Sequence, residues 1–382
     1  WTLKRYKDAE RNNAEPWDEL EKSIIANLAD DVIVAVKRNN VEIVIMKNFH
    51  FFSKIFIFLV LFSSISYSYF KQNDAGQEVF SFVSLFQSPR NIALENANAA
   101  EPSTDPGISF LNPAALRVPE GQKNNLAFYW NTGDLSENQG LITYVRALNP
   151  LILQASYGWI SYGDIEEIDE NAEETGKTHS PLSQLFAVSA FIPLKHIQVG
   201  VTSKLITDKL TDDSGDRTAL GLAFDWGISW ISSSARYGFS LSARDFGAML
   251  RDYSDNDENS SYAMSETFAL SAFLKPRPIP RLALYGETTF PRYSESTLRL
   301  GAEYTLSQYF FLRAGFSRTW LDISRDFKEL FSSASRPGES NEVRLFSLGL
   351  GYAYSNFALD YAFSYLTQGI GLEHRVGIRF AF

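Results

Sequence analysis

The chain has 382 residues, a formal net charge of −10 and no cysteine, which excludes a disulfide scaffold, a thiolate metal centre and a cysteine nucleophile. The acidic balance argues against a nucleic-acid partner, which would be gripped by a surplus of Lys and Arg. The histidines, His50, His179, His196 and His374, are too scattered for a metal cluster. At 14% aromatic with a slightly negative mean hydropathy, the chain needs some use for its rings other than an ordinary greasy core.

Residues 1–45 carry a short amphipathic helical pattern (Leu20, Ile24, Ile25, Leu28) and then two apolar runs, Val32 to Val36 and Val41 to Ile45. They read either as a small segment tethered to a signal anchor or as the product of a misplaced gene start, and the second is the expectation. Residues 46–68 have the layout of a secretory signal: Lys47 and Lys54 form a basic start, Ile55 to Phe62 an apolar block, and Ser66 and Ser68 the small residues of a cleavage site. The apolar block is too short for a bilayer-spanning helix, which needs about 20 residues. Cleavage after Ser68 and export are expected, and the net negative charge belongs to the part that follows.

From residue 124 onward the dominant period is two. Leu220, Leu222, Phe224, Trp226, Ile228 and Trp230 share one face of an extended segment, and Ala219, Gly221, Ala223, Asp225, Gly227 and Ser229 the other. The same division into a large apolar face and a small or charged one recurs over 297–306, 356–365 and 375–382. Turn residues then delimit fourteen strands: 124–132, 137–148, 150–162, 182–193, 194–207, 217–230, 235–247, 263–275, 280–290, 295–306, 308–320, 342–354, 356–367 and 369–382. Most are longer than strands of soluble sheets and suit a tilted membrane crossing.

The connections sort by parity. Those after even-numbered strands are brief, whereas 163–181, 208–216, 248–262 and 321–341, all after odd-numbered strands, are long and polar. Short turns on one side and long loops on the other are the habit of outer-membrane hairpin barrels. Trp130, Trp159, Trp230, Trp320, Tyr354 and Phe382 fall near strand ends, where amphipathic rings settle at the headgroup level. The polar faces are rich in Gly, Ala and Ser, which suits a crowded lumen better than a solvated surface. The expected fold is therefore all-β: a transmembrane antiparallel up-and-down barrel spanning 124–382, with 69–123 as a plug in its lumen. A secreted sandwich or propeller is the alternative, in which the same rings would be ordinary core.

The plug segment alternates poorly. Arg90 to Ala100 suits a short helix, and Asn112, Pro113, Ala114, Ala115 and Leu116 form a turn signal, read either as a structural turn or as a gating and ligand-contact element. The phrases VFSFVSLFQSPRNIAL and FLNPAAL, followed by fourteen strands ending in Phe382, resemble the PorV/PorQ family, which is related in fold to the FadL long-chain fatty-acid transporters. The passage YGWISYGDIEEIDENAEETG and the strand TALGLAFDWGISW look closer to the PorQ branch. The resemblance covers about residues 76–382. Ile92-Ala93-Leu94-Glu95-Asn96 departs from a family pattern that is glycine-rich at that point.

What the resemblance implies is membership of the type IX secretion and cell-surface attachment machinery, as a membrane anchor and docking platform beside PorZ-, PorU- and PorV-like partners. It also implies that Ile378, Phe380 and Phe382 act as the signal by which the barrel is recognised for insertion. Read by themselves, those three residues are one lipid-facing edge.

No catalytic motif is present: there is no G-x-S-x-G, no H-E-x-x-H and no phosphate-binding glycine loop, so no enzyme and no cofactor are expected. The acidic run Asp164, Glu166, Glu167, Asp169, Glu170, Glu173 and Glu174 lacks the spacing and glycine of a calcium hand and reads as a solvated loop. Lys204, Asp225, Arg299, Glu303, Arg313, Asp360, Arg375 and Arg379 fall on lumen faces, either as a paired network supporting the plug or as a pore lining. Three functions stay open: the docking barrel, a FadL-like transporter of fatty acids or other hydrophobic solutes, and a soluble exported β protein.

Overall fold

The computed structural model describes residues 31–37, 40–46, 78–133, 136–169, 173–211, 217–253, 262–330, 344–366 and 371–382. The chain divides into two units, Trp1–Tyr67 and Ser68–Phe382. In the first, the two apolar runs form an antiparallel hairpin, Asp31–Lys37 with Asn40–Met46. The signal-like segment with Ser66 and Ser68 lies outside the described residues.

The second unit is a closed barrel of fourteen antiparallel strands among the described residues. They are β1 (Asn124–Gly133), β2 (Ser136–Ala147), β3 (Ile152–Ser161), β4 (Leu182–Pro193), β5 (Ile197–Lys209), β6 (Ala219–Ile231), β7 (Tyr237–Arg251), β8 (Thr267–Leu274), β9 (Leu282–Pro291), β10 (Thr297–Thr305), β11 (Phe310–Thr319), β12 (Arg344–Tyr354), β13 (Phe357–Leu366) and β14 (Gly371–Ala381). Each pairs with its neighbours in sequence, and β14 pairs with β1 to close the ring. Every expected strand is there. Closure leaves no unpaired edge, the condition for placing strands in hydrocarbon.

Alternation along each strand sorts side chains by solvent. In β6 the small and charged residues from Ala219 to Ile231 are buried inward, and Phe224, Trp226, Ile228 and Trp230 stand exposed on the outer wall. Large apolar side chains are likewise exposed around the ring, among them Val201, Leu300, Phe316, Leu348, Leu350 and Ile378. In water such a surface would far exceed the apolar patches that soluble monomers tolerate; in lipid it is at equilibrium. Rings gather toward both rims: Phe128, Trp130, Tyr157, Trp159 and Phe186 toward the long-loop end, Trp230, Tyr237 and Phe239, and Tyr309, Tyr352 and Tyr354, toward the short-turn end. Their placement matches the aromatic girdles of membrane barrels.

Three elements differ from expectation. β7 runs on to Arg251, where a loop is expected from 248. The 163–181 loop carries a hairpin, Ile165–Ile168 with Glu174–His179. The 321–341 loop begins with an amphipathic helix, Trp320–Leu330, whose start is held by Arg318 and Arg325 on Asp322. Its Trp320 indole N–H donates to Thr288 Oγ1 at 2.8 Å.

Candidate functional site

The segment from Glu78 to Leu116 is almost wholly buried and touches the inward faces of strands around the ring. The Leu85 carbonyl accepts from Gln139 of β2 and from Arg375 of β14, each at 2.8 Å. The Pro106 carbonyl accepts from Gln154 of β3, and the Gly107 N–H donates to the Tyr129 hydroxyl of β1. Tyr129 in turn donates to Asp105, and Ser347 of β12 donates to Glu95. On the remaining side Arg90 reaches Glu303 of β10 and the Tyr285 hydroxyl of β9.

Within the segment, Pro89–Ala93 makes a single helical turn capped by Ser88, shorter than the helix expected over 90–100. It stops because Glu95 and Asn96 adopt φ of 50° and 61°, the left-handed region that favours glycine. Neither position is glycine, so both residues adopt a backbone conformation that L side chains seldom take. Buried side-chain and backbone bonds hold it there: Asn96 N–H donates to the Asn91 carbonyl at 2.7 Å, and Glu95 receives Ser347.

Asn112, Pro113, Ala114, Ala115 and Leu116 fold as one tight turn. The Asn112 side chain accepts from the Ala114 N–H at 2.9 Å and donates to the Ala99 carbonyl at 2.8 Å and to Ser229 of β6 at 2.9 Å. The turn rests directly on two inward glycines, because a Cβ at Gly200 of β5 would collide with the Pro113 carbonyl and one at Gly227 of β6 with the Asn112 side-chain oxygen. We expect Gly200→Val to lift this turn off the wall and to lower stability by about 1–3 kcal/mol, the usual effect of overpacking. Gly286→Val is the control, since a Cβ there meets only Leu300 at 3.8 Å. Denaturant midpoints and protease cleavage within 112–116 measure the difference; equal behaviour of the two variants would refute the contact.

The sequence-predicted lumen charges gather into four groups. Lys204 Nζ lies 2.7 Å from Asp225 and 2.6 Å from Asp245. Glu303 is held by Arg313 at 2.7 Å and by Arg90 at 3.0 Å, and Asp360 by Arg313 and Arg379. Arg375 pairs with Glu373 at 2.7 Å while donating to the Leu85 and Gln87 carbonyls. Arg299 shares Glu287 with Arg244, at 3.2 and 3.0 Å. Burying charges is tolerable only with such partners. Ile378, Phe380 and Phe382 lie exposed on the outer wall, and the Phe382 carbonyl accepts from the Asn124 N–H of β1 at 2.8 Å, joining the chain end to the first strand.

Several members of these groups escaped the sequence reading. Arg90 and Glu101 pair at 2.8 Å, with Lys275 added at 2.7 Å, in a plug that also buries Glu95, Asp105 and several asparagines, so nothing in the local sequence singled them out. Glu287 follows the inward parity of β9. Asp245 does not follow parity: a β-bulge sets Arg244 and Asp245 opposite the single residue Asp225, so both point inward. Asp225 Oδ1 accepts the bulge N–H of Asp245 at 2.8 Å. A carboxylate at a nominally lipid-facing position was the sequence's hint that alternation breaks there.

Between the plug and strands β7 to β10, at the long-loop end, lies a cavity of about 220 Å³. Phe110, Leu111 and Val83 of the plug face it, as do Lys204, Arg244, Asp245 and Arg299 of the wall. Asp164, Glu166, Asp169, Glu173 and Glu174 are exposed and Glu167 is half-buried, while Glu170 lies outside the described residues; among the described residues no group of His, Asp and Glu converges as a metal site.

No protein-family model and no curated protein matches the chain. Solved structures do. The Ralstonia pickettii toluene transporter TbuX is 12% identical, with 80% of this chain and 100% of that one covered at a TM-score of 0.52. The P. putida toluene transporter TodX is 10% identical, with 78% and 98% covered at 0.51. At such identity the likeness is one of fold, and it is the fold of the FadL-related barrels. With its closed ring, its apolar outer wall and its aromatic girdles, the chain is a β-barrel of the bacterial outer membrane.

Proposed function

We propose that the protein is a plugged transport barrel of the FadL type, admitting small solutes with an apolar body from the long-loop side. The observation that carries this reading is the cavity at that end, floored by Phe110 and Leu111 beside the Asn112–Leu116 turn. Passage beyond it requires the plug to shift, and the two neighbouring folds are described as toluene transporters. The test is uptake of labelled toluene and labelled oleate at low concentration by cells carrying the chain in an outer membrane otherwise lacking such barrels. Uptake should rise several-fold over the empty vector, and unchanged uptake of both would remove the reading.

The second reading is the docking barrel of the type IX attachment machinery, with PorZ-, PorU- and PorV-like partners. It is favoured by the ordered phrases of the plug and by the ion pairs Arg90 with Glu303 and Glu101 with Lys275, which fasten that plug to the wall. In it, Ile378, Phe380 and Phe382 serve recognition for insertion. Loss of the chain would release surface-attached cargo into the medium; attachment that persists would count against it.

A further inference from the structure

The two ends of the barrel are charged differently. The chain as a whole is acidic, at −10, yet its short-turn end is basic. Lys123, Arg146 and Lys195 lie along the rim from β1 to β5, and Arg236, Arg277 and Arg281 at the turns that join β6 to β7 and β8 to β9. Among the described residues of these turns and of the stretch 117–123, the only acidic side chain is Glu120.

These cations are also unpaired. Among the described residues none of Lys123, Arg146, Lys195, Arg236 and Arg277 has a carboxylate within ion-pair distance, and the Arg281 guanidinium donates to the Leu306 carbonyl at 3.4 Å. At the long-loop end, by contrast, Lys177 lies against Glu167, Arg292 against Glu266 and Arg318 against Asp326. Charges of one sign gathered at a rim focus a field into the water beyond, which draws in and orients an anionic partner.

Parity points this field away from lipid. Tyr237 and Leu284 are exposed on the outer wall, so Arg236 and Arg281, at odd spacing from them, fall on the lumen side. Lys275, whose N–H donates to the Arg236 carbonyl at 2.6 Å, sets its ammonium on Glu101 of the plug at 2.7 Å, which fixes the same side. The β8–β9 turn adds a rigid projection. Ser355 and Asn356 suffice to join β12 to β13, but residues 275–281 join β8 to β9, and Pro276, Pro278 and Pro280 within them hold φ fixed. The Ile279 N–H donates to the Pro276 carbonyl at 3.3 Å and the Leu282 N–H to the Ile279 carbonyl at 3.0 Å. Ile279 stands 48% exposed between Arg277 and Arg281. A surface already held in one shape loses little freedom on docking, and an apolar knob flanked by cations suits an acidic protein surface better than a lone anion.

We propose that the short-turn rim, which faces the periplasm, is a docking surface for an acidic protein segment seated on Arg236, Arg277 and Arg281. It goes beyond the transport and attachment readings and rests on neither.

The experiment is fluorescence anisotropy of labelled deca-glutamate added to the full chain in nanodiscs of phosphatidylcholine, with deca-glutamine as the uncharged control. Deca-glutamate should bind and deca-glutamine should not. The triple variant Arg236→Gln, Arg277→Gln, Arg281→Gln should bind it about tenfold or more weakly, a loss of about 1.4 kcal/mol or more. Lys177→Gln, which removes an exposed charge at the opposite end, should bind as the parent does. Heat-modifiable migration shows that each variant is folded. A folded triple variant that binds like the parent would overturn the proposal, as would a parent that does not bind. Phosphatidylglycerol retained by the parent and lost from the triple variant in native mass spectra would assign the rim to anionic lipid and overturn it too. Uptake of toluene or oleate enters none of these readouts, so the rim and the transport reading fall separately.

Discussion

Lys204→Met should destabilise the barrel by about 3–5 kcal/mol, the usual penalty for removing one partner of a buried ion pair. Lys204 is the cation between Asp225 and Asp245, within 2.7 and 2.6 Å of them, and all three side chains are buried. Methionine fills much the same space, so what changes is charge: two carboxylates are left facing each other where water cannot screen them. Asp225 must also keep its acceptor, because it takes the bulge N–H of Asp245. The triple variant Lys204→Met, Asp225→Asn, Asp245→Asn retains an acceptor at position 225 and removes both charges, and should return to within about 1 kcal/mol of the parent, since neutral replacements of buried ion clusters are often benign. Denaturant unfolding in detergent micelles, followed by heat-modifiable migration, measures both. A single variant as stable as the parent, or a triple variant no better than the single, would show that the charges are not confined together.

The same bulge shows what was legible in the sequence and what was not. A period of two over ten or more residues is a direct print of a wall with different solvents on its faces, so the strands and the inward positions of Lys204, Asp225, Arg313 and Asp360 could be read from order alone. Asp245 could not: its carboxylate at a nominally lipid-facing position hints that alternation breaks, but only the strand register shows that one extra residue in β7 reverses parity there. Pairing across the lumen was also invisible: Arg90 and Glu303 are 213 positions apart, and nothing local to either names the other. The Trp320–Leu330 helix escaped because its polar face dominates a loop already rich in charge. The Asn112–Leu116 turn was legible as a turn, while its seat on Gly200 and Gly227 required three dimensions.

The crowded interior changes the expected outcome of substitutions on opposite faces. An arginine facing hydrocarbon near mid-bilayer costs roughly 2–4 kcal/mol, which applies to Leu348→Arg and Phe224→Arg, both at half-exposed positions near the centres of β12 and β6. A watery lumen would make Ser347→Arg and Ala223→Arg mild by comparison. Ser347 is instead fully buried, bonded to Ser364 at 2.8 Å and to Glu95 of the plug, and Ala223 is packed in the cluster that contains Phe80. Arginine therefore fails on both faces, for desolvation outside and for volume inside, and cannot distinguish them. Apolar enlargement can. Leu348→Phe adds bulk toward fluid lipid and should leave folding into bilayers unchanged within about 0.5 kcal/mol, the range of surface changes that touch no special feature. Ser347→Leu adds similar bulk against the plug and strips Glu95 and Ser364 of a partner, which should cost about 1–3 kcal/mol from overpacking alone. Folding yields into lipid vesicles, compared for these two neighbours on one strand, test the wall and the plug together: equal yields would mean that the lumen behind β12 has room, and the plug would then not be seated where Glu95 meets Ser347.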